Sequence, residues 1–156
     1  MATVYAATDQ TLGRQVAIKV LSPGLMGVPS NYTRFEHEAR VARHLQHPNT
    51  IQIFDFGALE NGLPYIVMEY LRGAPLDELI QAEGALHPDR VLGIARQVLA
   101  SLQNAHENRV LHRDLKPRNV MVGEFGGQSD FAKVLDFGLS KVLDFEGNGQ
   151  TLQTRS

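Results

Sequence analysis

The sequence predicts an α+β fold in two lobes: a small antiparallel sheet with one helix, then a mainly helical half, divided near residues 69–75. Three observations carry this expectation. Short runs rich in Val, Ile, Tyr, Thr and Ala, bounded by turn residues, fill most of the first 70 positions. Apolar residues then recur at helical spacing over 88–108. The composition shifts between the two regions.

Taken in order, residues 3–8 and 15–21 read as two strands, with Asp9, Gln10 and Gly13 in the turn that makes them a hairpin. Ser22-Pro23-Gly24 breaks the second strand. Phe35, Glu38, Ala39, Val41, Ala42 and Leu45 fall on one helical face, with Ser30 or Asn31 as N-cap. His47-Pro48-Asn49 ends that helix, because proline disfavours helical geometry in the residue before it. Strands are expected at 51–58 and 65–70 around an Asn61-Gly62 turn, and a short helix at 76–83. Pro88 suits a first helical turn. Val91, Ile94, Ala95, Val98, Leu99, Leu102 and Ala105 then give a long helix an apolar face broad enough to predict burial on several sides. Short strands are expected at 110–111, 120–122 and 133–135, with a polar, Gly-containing turn over 123–130. Residues 139–156 show no periodicity, and there is no internal repeat.

The composition excludes several function classes. With 156 residues, 43% hydrophobic and 21% charged, the chain is ordinary globular material. A net charge of −2 implies no nucleic-acid partner from bulk charge. The absence of cysteine removes disulfides, thiolate zinc sites and a cysteine nucleophile. No apolar run approaches the ~20 residues that span a bilayer, and no signal peptide is visible. The expected location is the cytoplasm, with any membrane anchor outside this stretch. His44 and His47 lie three apart without a third ligand, so they do not suggest a metal site.

The chemistry-bearing residues form four strings. The most specific is His112-Arg113-Asp114-Leu115-Lys116-Pro117-Arg118-Asn119. Asp136-Phe137-Gly138 follows 22 residues after Asp114. Val16-Ala17-Ile18-Lys19 and Ile66-Val67-Met68-Glu69-Tyr70-Leu71 lie in expected strands. Read singly, Asp-Phe-Gly is a common tripeptide, Lys19 an exposed strand lysine and Glu38 an exposed helix glutamate. Val4, Ala17 and Met121 are equally core packing. Together, in this order, the strings resemble the motif set of Hanks-type (eukaryotic-like) serine/threonine protein kinases, with wording most similar to bacterial members. The resemblance covers essentially the whole chain, residues 1–70 as the first lobe and 71–156 as the start of the second.

The resemblance implies a kinase-like two-lobed fold, ATP and Mg2+ as cofactors, and Ser/Thr side chains of proteins as substrates. Phosphoryl transfer asks a protein mainly for positioning and charge stabilisation. Asp114 would orient or accept the substrate hydroxyl proton, and Lys116 would steady the transferring phosphate. Asn119 and Asp136 would hold magnesium through oxygen. Lys19 would bind the α- and β-phosphates with Glu38 as its partner. Glu36 competes for that role, but Ala39 and Ala42 put Glu38 nearer the apolar face. Val4 and Ala17 would cover adenine and Met121 would form its floor. Met68 would guard the inner pocket, while the Glu69 carbonyl and Leu71 amide would hydrogen-bond the base. His112 is expected as a packed support for Phe137, and Lys116 points to serine/threonine specificity. Arg113 would clamp a phosphate in the tail, where Thr151, Thr154 and Ser156 are candidates.

The chain departs from the family pattern at both ends. Ala2 stands where the last glycine of the phosphate-covering loop would be, so Met1 reads as an internal loop residue. No Ala-Pro-Glu follows Gly138. The expectation is therefore a kinase fragment that by itself binds Mg-ATP weakly and does not phosphorylate protein substrates at a useful rate, while the parent domain is an active enzyme. A non-catalytic nucleotide-binding scaffold is the alternative. Intact Lys19, Asp114, Asn119 and Asp136 argue for an enzyme, and the full catalytic string argues against a small-molecule phosphotransferase.

Overall fold

The structure, a computed structural model, describes residues 2–21, 39–40 and 42–137. The first hairpin forms as its turn chemistry dictates. Strands β1 (Ala2–Asp9) and β2 (Arg14–Leu21) pair antiparallel from Ala2↔Leu21 to Asp9↔Arg14. Asp9 closes the turn: its Oδ1 accepts from the amides of Thr11 and Leu12 at 3.0 and 3.1 Å. Its carbonyl accepts from Gly13, whose φ of 65° suits a residue without Cβ. Strands β3 (Ile53–Ala58) and β4 (Pro64–Glu69) complete a sheet of order β1-β2-β4-β3. Residues 39, 40, 42 and 43 are helical, and Ala39, Ala42 and Leu45 bury against Leu21, Ile53 and Ile66.

A second sheet, order β5-β6-β7, joins β5 (Gly73–Pro75), β6 (Val120–Phe125) and β7 (Gln128–Val134). Helices α1 (Leu76–Glu83) and α2 (Pro88–Glu107) lie between β5 and β6 in sequence. Strand β5 was not evident from the sequence. It exists because two glycines let two backbones meet: a Cβ on Gly73 would lie 2.4 Å from the Val122 carbonyl oxygen. Strands β6 and β7 also run further than the expected 120–122 and 133–135. Gly126 and Gly127, both at positive φ, form a two-residue hairpin turn, so the polar 123–130 segment is mostly paired strand.

The expected strand at 110–111 is absent. The Val110 amide donates to Ala105 O at 2.8 Å and the Arg109 amide to His106 O at 2.9 Å, with Arg109 at φ 61°. This is a Schellman closure of α2, and Val110 packs into the same buried cluster as Ala105. Arginine occupies the left-handed position that glycine prefers. Arg109→Gly should therefore raise stability by about 1 kcal/mol, read as an upward shift of the thermal midpoint. An unchanged or lower midpoint would contradict this account.

Helix α2 is also less covered than its apolar breadth implied. Ile94, Ser101 and Ala105 are buried, facing β7 and the core, while Val91 and Leu99 remain exposed. The described residues place nothing over that side.

The two halves are sewn together by residues 49–52. Thr50 bridges Val134 in parallel, the Ile51 amide donates to Val134 O, and the Val134 amide donates to Asn49 O. The Asn49 side chain donates to Gln97 Oε1 and Ala132 O, and Thr50 Oγ1 meets Ser101 Oγ at 2.7 Å. Polar groups sealed in a core need such partners. Here they fix the end of the first-half helix to α2 and β7.

Candidate functional site

Strand register puts the first group of residues on one face. Val4 pairs with Lys19, Lys19 with Ile66, and Ala17 with Met68, and directly paired residues project to the same side. Val4, Ala17, Lys19 and Met68 therefore share a face of the first sheet. Val4 is exposed and Ala17 buried. Glu69 is one residue beyond Met68, so its side chain leaves by the other face, with only backbone available on the Met68 side.

Asp136 reaches this face from the other half. Lys19 Nζ donates to Asp136 Oδ2 at 2.6 Å, the side chains being 16% and 30% exposed. Asp136 has φ 55°, a left-handed conformation that turns it out of line with β7. Next to it, Phe137 is sunk in the core with Ile66, Ala42 and Val134. Lys19, Met68, Asp136 and Phe137 line a small inner cavity of about 10 Å3, about the room one water needs.

The loop from 112 to 119 supplies the second group. His112 is buried; its Nε2 donates to Leu135 O at 2.7 Å and its ring lies 4.8 Å from that of Phe137. Arg113 adopts φ 66°. Asp114 Oδ2 accepts from Lys116 Nζ at 2.6 Å. Asn119 Nδ2 donates to Asp114 O at 2.8 Å and approaches Oδ2 at 3.4 Å. Pro117–Asn119 forms a single 3-10 turn that carries Asn119 back under Asp114. The Leu135 amide donates to Asn119 O at 2.8 Å. Two bonds from residue 135 thus tie this loop to Asp136.

The hydrogen bond from Lys116 holds the Asp114 carboxyl below the ordinary carboxylate range, against desolvation, with help from the Lys116 charge and Asn119. Asp114 thus stays ionised until pH falls through that lowered value. Lys116→Met should move the acidic limb of the pH–rate profile upward, toward the usual carboxylate range. An acidic limb in the same place would remove Lys116 as the cause.

Oxygen donors suited to magnesium are present. With Nδ2 committed to Asp114, Asn119 presents its amide oxygen as the free acceptor, and Asp136 has a second carboxylate oxygen beyond the one on Lys19. Among the described residues no cluster of three or more His, Cys, Asp or Glu could cage a metal. Two protein oxygens, with waters and phosphates completing the shell, match magnesium's habit.

The structure brings together Lys19 with Asp136, and Asp114 with Lys116 and Asn119. Met121 lies half-buried in β6 opposite Pro75 and Lys133, and Leu71 follows the end of β4. Glu38, Glu36, Gly138, Thr151, Thr154 and Ser156 lie outside the described residues. Sequence reasoning missed Lys133. Its Nζ donates to Glu69 Oε1 at 2.6 Å and approaches Thr50 O at 3.4 Å. A lysine on a half-buried strand, three before Asp136, was the only hint.

The protein kinase domain family matches residues 1–155. Serine/threonine-protein kinase pkn3 of Myxococcus xanthus is 41% identical over 152 residues, 97% of this chain and 28% of that protein. PrkC of Bacillus subtilis is 42% identical over 143 residues, 92% of this chain and 21% of that protein. The chain thus spans about a quarter of the length of these curated relatives. Among solved structures, the PknI kinase domain of Mycobacterium tuberculosis aligns with TM-score 0.75 at 31% identity, over 89% of this chain and 54% of that one. Rad53 in complex with AMP-PNP aligns with TM-score 0.74 at 32% identity, over 88% of this chain and 35% of that one. No described helix is long and apolar enough to cross a membrane. A fold of two sheets joined through residues 49–52, in which Lys19 meets Asp136 and Asp114 meets Asn119, and these matches over nearly every residue have one reading: the chain belongs to the protein kinase domain family.

Proposed function

We propose that this chain carries the nucleotide-binding and phosphoryl-transfer residues of a serine/threonine protein kinase, using ATP and Mg2+ and acting in the cytoplasm, where ATP is plentiful. The observation that carries the reading is the junction at Leu135, which fixes Asn119 and His112 to the residue before Asp136. One short loop and one strand end thereby hold a proton acceptor, a cation and two metal-binding oxygens in a single frame. Rad53 was solved with AMP-PNP, an ATP analogue.

The roles follow from charge and position. The Asp114 carboxylate orients the Ser or Thr O–H and takes its proton as the new O–P bond forms and the bond from the γ-phosphorus to the β–γ bridging oxygen breaks. Lys116, already on Asp114, offers its ammonium to the oxygens of the transferring group. Lys19 turns from Asp136 to the α- and β-phosphates. Asn119 and Asp136 would hold magnesium, which when bound would neutralise charge at the phosphates. Val4, Ala17 and Met121 enclose the base, and Glu69 O and Leu71 N give it direction. The non-catalytic scaffold reading is not favoured, since none of these groups is replaced.

The test is phosphoamino-acid analysis after incubating the protein that carries this chain with γ-labelled ATP and a generic basic protein. Label in phosphoserine or phosphothreonine, lost when magnesium is chelated, is expected. Nucleotide binding without any transfer would favour the scaffold.

A further inference from the structure

We infer that Lys133 is a positioning residue for the adenine of ATP, acting through Glu69. The inference rests on the kinase reading above and adds a residue that reading does not use.

Glu69 is the last residue of β4, where the chain leaves the first sheet. It is pinned at three points. Its amide donates to Gln52 O at 3.0 Å, its Oε1 accepts from the Gln52 amide at 2.8 Å, and the same oxygen accepts from Lys133 Nζ at 2.6 Å. The first two bonds are local to β4 and the segment leading into β3. The third crosses to the second sheet. Residues 49–51 are themselves bonded to Val134, so Gln52, Glu69 and β7 form one connected frame.

The pair is well sheltered: the Lys133 and Glu69 side chains are 13% and 22% exposed. A charge-assisted bond so short and so little hydrated keeps its geometry better than a surface ion pair. It also has a directional consequence. Lys133 lies three residues before Asp136 on the same chain segment, and Glu69 lies two before Leu71. Beside the bonds of residues 49–51 to Val134, the ion pair therefore adds a direct constraint on the spacing between the backbone that directs the base and the carboxylate that serves the phosphates. ATP must satisfy both ends at once, so loosening the link lowers affinity by spreading the site over arrangements that fit only one end. The Glu69 carboxylate lies on the sheet face away from Met68, so the effect is indirect.

The experiment compares wild type, Lys133→Met, Glu69→Gln and the double variant in the kinase domain that carries this chain. The readouts are steady-state kinetics and binding of fluorescent nucleotides. Lys133→Met should raise KM for ATP at least about fivefold while kcat changes far less. Preference for ATP over purine riboside triphosphate, which lacks the 6-amino donor, should shrink. Glu69→Gln should behave likewise, and the double variant should be no worse than either single one. Lys133→Arg should restore part of the affinity. A lowered thermal midpoint with unchanged KM and unchanged base preference would reduce the pair to a stability element and overturn the inference. Additive single effects would overturn it too. If wild type binds no nucleotide and transfers no phosphate, the kinase reading itself fails. If wild type is active and the variants behave as it does, this inference alone fails.

Discussion

Asp114→Asn should lower the rate of phosphoryl transfer by about 10²–10⁴-fold at saturating Mg-ATP, while nucleotide affinity and thermal midpoint stay close to wild type. Asn has the same shape and keeps one acceptor oxygen, so the Asn119 contact to the residue 114 carbonyl survives. What disappears is the negative charge that anchors Lys116 at 2.6 Å and that the proposed mechanism uses to accept the proton. The substrate hydroxyl then reaches the γ-phosphate without a base aligned on it, and Lys116 loses its fixed direction. The loss belongs to kcat because the interaction matters most as the proton moves. Single-turnover measurement with pre-bound Mg-ATP reads this step directly. A rate equal to wild type would remove Asp114 from the reaction.

Lys19→Met should cost about 10²–10³-fold in kcat/KM, with the fold retained. Lys19 sits mid-strand in β2 with its ammonium on Asp136 at 2.6 Å. Methionine matches the aliphatic stem, so packing against the sheet is preserved and only the charge is lost. Asp136 is 30% exposed on its side chain, so water can hydrate it once the lysine is gone. The stability loss should stay within about 1 kcal/mol. The catalytic loss is larger because the α- and β-phosphates lose a cation inside a partly dry site. Circular dichroism and thermal melting would verify the fold, and turnover would measure the effect. Wild-type turnover would contradict the assignment. Glu38, the lysine's expected partner from the helix, is tested separately by Glu38→Gln, which should lower kcat/KM in the same direction.

Much of the frame was legible in the chain itself. The first hairpin announces itself through Asp9 and Gly13, and the expected helices at 76–83 and 88–108 correspond to Leu76–Glu83 and Pro88–Glu107. Local rules suffice there because turn geometry and helix periodicity depend on residues only a few positions apart. The expected strand at 110–111 failed for a related reason. Strand propensity was read from Val110 and Leu111, while the Val110 amide was already committed to the closing turn of α2. Strand β5 carries no signal in the sequence because Gly-Ala-Pro has little strand propensity, and it pairs only where Gly123 lets another backbone come close.

The site divides the same way. The string from His112 to Asn119, Asp136-Phe137-Gly138 and Val16-Ala17-Ile18-Lys19 suggest the proposed chemistry from sequence, because each proposed role demands a particular residue type: a carboxylate for a proton or a metal, an ammonium for phosphate. Their arrangement belongs to the tertiary structure. Nothing in the order of residues says that Leu135 joins both His112 and Asn119. Still less does it say that Lys133 reaches back 64 positions to Glu69. Such contacts are set by how two sheets pack through residues 49–52, and packing depends on the whole core at once. The residue types along the chain point to the proposed chemistry; the folded chain sets which of those groups meet, and at what distance.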